Sequence, residues 1–135
     1  MRIFTILIFS ILIAFHAQAI NCPYGQVFEG RFGGEFCIYT KRGMNWWSAY
    51  QWCASQGLHL ATPSEACDYN DYSWKSMKCE NLRGKTESEG IENIALGWFN
   101  HIASSRTAYV VNLHNADVYP TEFSSDDRRA PLCVQ

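Results

Sequence analysis

Residues 45–61 read NWWSAYQWCASQGLHLA, and this stretch decides the fold. Trp46, Ala49, Tyr50 and Cys53 recur at i, i+3, i+4 and i+7, the spacing of one buried face of an α-helix. Asn45 stands where an N-cap belongs, its short side chain able to accept a first-turn N–H. Gly57 stands where the helix must stop, free to take positive φ at C′. The pattern predicts a helix over 45–56. Trp47 falls off its main face. Small Ala49 permits close packing, and Leu60 returns the chain to the core.

The flanks set the fold class. Downstream, Thr62-Pro63-Ser64-Glu65 is a capping box with proline at the first helical position, predicting a short helix to about Asp68. Upstream, Val27-Phe28 and Phe36-Cys37-Ile38-Tyr39 flank Gly33-Gly34 and read as a β-hairpin. Tyr69 to Gly90 is a long polar excursion with its own Cys79, and loops of this length are usually functional or tied down. It carries Tyr72 and Trp74, an aromatic platform for a sugar ring or partner, or rings that pack the loop on itself. Ile94–Phe99, Thr107–Leu113, Asp117–Phe123 and Pro131–Val134 read as strands. Helices in one block and strands in another predict an α+β fold with a mainly antiparallel sheet.

The N-terminus places the chain in a compartment. Met1-Arg2, an apolar run from Ile3 to Phe15 and Ala17-Gln18-Ala19 together read as a signal peptide over 1–19, followed by one domain over 20–135. No other stretch approaches the roughly 18 apolar residues of a membrane span. The expectation is a protein without a retained membrane segment, secreted or held in a periplasm or at a cell surface. All six cysteines follow the leader, which argues for disulfides in an oxidising compartment. Spacing alone leaves every pairing open. No two cysteines have the close spacing of zinc ligands, so no metal and no cofactor is expected. A net charge of −2, one unit more acidic without Arg2, gives no reason to bind nucleic acid.

The quoted stretch also carries a likeness. Trp46-x-x-Ala49-x-x-Trp52-Cys53-x-x-x-Gly57-x-x-Leu60-Ala61 resembles the first-helix signature of the C-type lectin-like domain, most of all its small secreted bacterial forms. Ile94-Ala95-Leu96-Gly97-Trp98 is similar to the family's central strand, and Ala130-Pro131-Leu132-Cys133 to its closing strand. The resemblance implies a bridge Cys53–Cys133, a hairpin bridge Cys22–Cys37 as in longer members, and hence Cys67–Cys79, which is not a standard family feature. Trp46, Trp52 and Trp98 are read as core residues.

Calcium-dependent sugar binding in that family uses Glu-Pro-Asn or Gln-Pro-Asp together with Trp-Asn-Asp, because calcium wants six to eight oxygens. Neither motif is present. Only Asn100 to Arg106 separates Phe99 from Thr107, too little for a calcium-binding loop. No catalytic constellation stands out, so an enzyme is not expected. The expectation is a non-enzymatic module recognising a protein or glycan without calcium; the alternative is a structural or assembly component of an envelope or secreted complex. By analogy with the fold, the ligand face would comprise the loops 100–106, 115–119 and 124–129, with the excursion as a further candidate. Its candidate residues are Tyr72, Trp74, Asn100, His101, Arg106, Asn115, Asp117, Asp126, Asp127 and Arg128. Asp126-Asp127-Arg128-Arg129 also reads as a solvated turn whose exposed ion pairs contribute little.

Overall fold

A computed structural model describes residues 20–29, 34–68, 77–85 and 94–135. The leader, Gly33 of the hairpin turn, and Tyr72 and Trp74 of the excursion lie outside the described residues. Strands β1 (Gly25–Glu29) and β2 (Glu35–Tyr39) form the hairpin, with Val27 opposite Cys37. Helix α1 (Trp46–Ser55) and a two-residue strand β3 (His59–Leu60) follow. Then come helix α2 (Pro63–Ala66) and a 3₁₀ turn over Glu80–Leu82. Strands β4 (Leu96–Ile102), β5 (Thr107–Asn112), β6 (Val118–Glu122) and β7 (Arg129–Val134) complete the chain. The fold is α+β, with two helices, a mostly antiparallel sheet and three disulfides.

The sheet runs β1-β2-β7-β4-β5-β6, with β3 also paired to β7. Strand β7 is the hinge of this order. Its first half lies parallel to β4, Leu96 beside Arg129 and Trp98 beside Pro131. Its second half is antiparallel to β2 and β3, with Cys133 opposite both Cys37 and Leu60. Side chains alternate across a strand, so one sheet serves two cores. On the α1 side, Trp46, Ala49 and Cys53 of the helix pack with Leu60, Trp98 and Val110. On the other face, Phe36, Ile38, Leu82, Phe99, Val111 and Leu132 pack with Ala66 of α2.

The caps of α1 form as the sequence requires. Asn45 Oδ1 accepts from Ser48 N at 2.9 Å, and Gly57 takes φ +72°. Tyr50, expected on the buried face, is instead 46% exposed. At about 100° per residue, Trp46, Ala49 and Cys53 occupy an arc of about 60°, and Tyr50 lies about 40° beyond it. Trp52 is half-buried rather than core, its ring edge-on to Tyr39 at 5.0 Å. Helix α2 stops at Ala66, two residues before its expected end. Asn81 explains the stop: its Nδ2 donates to Ala66 O and its Oδ1 accepts from Asp68 N, both at 2.8 Å, while Cys67 between them is extended and bonded to Cys79.

The remaining bridges are Cys22–Cys37 and Cys53–Cys133. All three are the pairs that the resemblance implied. Three bridges are the pattern of a chain folded in an oxidising compartment. No helix among the described residues is long and apolar enough to cross a membrane. Strand β4 runs three residues past its expected end, because pairing resumes at Ile102 opposite Ala108 after an irregularity beyond Trp98.

Candidate functional site

Two tryptophans fix the segment that leads into α1. Trp98 Nε1, buried in β4, donates to Met44 O at 2.8 Å. Trp46 Nε1 donates to Phe99 O at 2.9 Å. The backbone adds Met44 N to Arg129 O at 2.8 Å and Trp46 N to Phe123 O at 3.0 Å. These bonds hold residues 43–46 against the link between β6 and β7. The two chains approach so closely at Gly43 that a Cβ there would stand 1.9 Å from Asp126 O.

Between those chains and the first turns of α1 lies a shallow open cleft of about 300 Å³. Arg42, Gly43, Met44, Asn45, Ser48, Trp52 and Asp126 line it. Ser48 and Trp52 share one face of α1, four residues apart. Arg42 and Asp126 border the same space without forming an ion pair, and neither side chain has a partner among the described residues.

A second feature lies on the other flank of α1. Trp47 is 58% exposed, its ring 4.9 Å from Trp46 and 5.3 Å from Phe123. Phe123 in turn stands 5.2 Å from Trp46, and Tyr50 5.5 Å from Trp46. One buried indole thus supports three rings, of which Trp47 and Tyr50 face solvent. Ile102, 57% exposed, pairs with Ala108 and so stands on the α1 side of the sheet. A cluster of large exposed apolar side chains is more informative than a lone one.

The expected ligand residues do not assemble into one face. Arg106 and its neighbours lie at one end of β5, and Asn115 and Asp117 beyond the other. A strand of six residues separates them, roughly 20 Å. Asn115 builds its own turn, accepting from Asp117 N at 2.9 Å, and Asp117 is ion-paired with Lys78. Asn100 is half-buried on β4, its N–H donating to Ala61 O at 2.8 Å. His101 is exposed, 5.1 Å from the Tyr109 ring.

Asp127 and Arg128 lie in an exposed turn. Asp127 O accepts from Arg129 Nη1 at 2.8 Å, and Arg128 takes φ +51°. That turn is exposed to solvent. Of the expected residues that are described, Asp126 lines the cleft. Arg42, Asn45 and Ser48, which line the cleft with it, were not expected, since sequence marks Asn45 only as a cap. Trp47 carried a legible signal, its position off the buried helical face.

Among the described residues no group of three or more His, Cys, Asp or Glu is placed to hold a metal ion. A perturbed carboxyl lies elsewhere, in the first turn of α2. Burial pushes the Glu65 pKa up, but the Thr62 backbone N–H, His59 and the Thr62 hydroxyl together outweigh it and hold the carboxyl below its ordinary value. Its Oε2 accepts from Thr62 N at 2.8 Å, and its Oε1 lies 2.8 Å from His59 Nε2. No protein-family model matches this chain, and no curated protein matches it.

Proposed function

We propose that the chain is an extracytoplasmic, non-enzymatic binding module with a compact C-type lectin-like fold, recognising a protein or glycan surface without calcium. The observation that carries this reading is the exposed aromatic cluster of Trp47, Tyr50 and Phe123 around buried Trp46. Large rings bury much apolar area at little entropic cost, which is why Trp and Tyr anchor interfaces. Trp47 leaves more than half of its surface in water, while Trp46 and Trp98 make the buried contacts and the hydrogen bonds. The fold reading is supported by the helix signature on α1, by Cys53–Cys133 joining that helix to the last strand, and by the short β4–β5 turn in place of a calcium loop. The leader sequence and three bridges support secretion, or retention in a periplasm or at a cell surface.

The test is binding of the oxidised protein to arrayed glycans and to extracellular proteins, in calcium and in chelator. Trp47→Ala should weaken the interaction about tenfold or more, as loss of an anchor ring does, while the variant stays folded and loses no more than the roughly 0.5–1.5 kcal/mol of an aromatic pair. Binding indifferent to Trp47 would remove the cluster from the interface. A stable partner without glycan binding would favour an assembly role.

A further inference from the structure

We infer that removal of the leader creates a group that the domain itself binds: the Ile20 α-ammonium pairs with the Glu35 carboxylate and fastens the new N-terminus to β2. This inference rests on the leader reading and is independent of what the module binds.

Sequence and structure meet at one bond. Ala17-Gln18-Ala19 places the cut between Ala19 and Ile20. Ile20, the first residue after it, is 7% exposed and belongs to the apolar cluster on the α1 side of the sheet, with Cys37 and Trp46. Chain ends fray unless they are tied down, and here two ties are present. Cys22, two residues on, is bridged to Cys37 of β2. Ile20 N lies 3.1 Å from Oε2 of Glu35, the first residue of the same strand. Glu35 and Cys37 are two apart on β2 and so project from one face of the sheet.

The acceptor suits the charged form. While the leader is attached, Ile20 N is a peptide nitrogen with one N–H. A leader peptidase breaks the Ala19–Ile20 amide with water as co-reactant. The oxygen of that water ends in the Ala19 carboxylate, and its two hydrogens end on the Ile20 nitrogen, which becomes an ammonium. That nitrogen then offers three donors and a positive charge to a carboxylate already within reach, and a charge-assisted bond is roughly twice as strong as a neutral one. Glu29 stands opposite Glu35 in the hairpin register, a second acidic residue at that end. Among the described members of the cluster around Ile20, Tyr39 is the only other side chain that titrates, the cysteines being bridged. An amine held in this way is withdrawn from aminopeptidases, which must grip a free N-terminal ammonium and its side chain. The cut thus protects the end that it makes.

The experiment uses the secreted, oxidised protein. Its intact mass after reduction should place the first residue at Ile20. NMR of isotope-labelled isoleucine then follows the Ile20 amine in the parent and in Glu35→Gln. The amine should titrate about 0.3–0.7 pH unit higher in the parent, the shift that an ion pair near the surface produces. The parent should melt about 1–5 °C above Glu35→Gln at neutral pH. An amine raised by its partner contributes fully below the ordinary α-amino value of about 8 and loses that contribution as pH rises through the raised one, so the gap should close in alkali. A nonspecific aminopeptidase should remove Ile20 about two to five times faster from Glu35→Gln, in proportion to the opened population. A form secreted with Ala19 retained carries its ammonium one residue away from Glu35, and there the gap between Glu and Gln should not vary between neutral and alkaline pH.

Equal titration of the amine in the parent and in Glu35→Gln overturns the inference. So does a melting gap that persists in alkali, the mark of a bond to an uncharged N–H. Secretion with the first residue elsewhere than Ile20 overturns it too, while the leader reading stands. Retention of residues 1–19 in the secreted protein overturns both.

Discussion

Gly43 is the residue on which the cleft depends most directly. Adding one methyl places a carbon 1.9 Å from the Asp126 carbonyl, with Arg128 N at 2.8 Å, both backbone and unable to rotate away. Gly43→Ala should lower stability by about 1–3 kcal/mol in urea unfolding, the usual cost of overpacking. A second residue-scale outcome concerns pH. The Glu65 carboxyl is held below its ordinary pKa in the folded chain, so its contribution is complete above that ordinary value and is lost as pH falls through the lowered one. Glu65→Gln should therefore be less stable than the parent at pH 7, by about 0.3–1 kcal/mol as for other cap interactions. The gap should narrow as pH falls through the lowered value, and melting curves across acid pH check it. Asn45, Gly57 and the Thr62 box were legible because a cap acts within three or four residues of itself. Arg42 and Gly43 were not, since their role exists only once the distant link 123–128 lies against them.

At the scale of elements, the clamp between β4 and the approach to α1 carries the argument. Trp98→Phe removes the donor to Met44 O in a buried setting and should cost about 1–3 kcal/mol for the orphaned carbonyl alone. Trp98→Phe should also loosen the cleft while leaving the Trp47 cluster in place. The helices and long strands were legible from their own periodicity and from turn residues. Strand β3 was not, because two residues carry no period and His59–Leu60 becomes a strand only by lying against Cys133 and Val134. The extension of β4 past Trp98 has the same origin, a pairing with Ala108 that no local pattern announces. Tyr50 misled because a helical repeat fixes the angular position of a side chain but not the width of the surface that covers it.

At the scale of the whole molecule, three bridges tie together parts that hydrophobic burial alone holds less firmly. Cys53–Cys133 closes a separation of 80 residues and Cys67–Cys79 one of 12. In the chain-entropy account a loop of the longer kind contributes about 4–5 kcal/mol and one of the shorter kind about 3. The paired alanine variant of Cys53 and Cys133 should thus lose more stability than that of Cys67 and Cys79, as read from urea midpoints. The α+β class followed from the order of the elements. The strand order, with β7 between β2 and β4, did not, because it depends on a parallel pairing between strands separated by two others. The same limit explains the ligand face. Loops expected to converge lie at opposite ends of β5, while the cleft and the aromatic cluster gather around the first turn of α1. The most direct measurement is the binding profile of the oxidised protein toward arrayed glycans and extracellular proteins in calcium and in EDTA. The account predicts the same ligands in both, lost when Trp47 becomes alanine. Binding that needs calcium, or no binding in either condition, would contradict it.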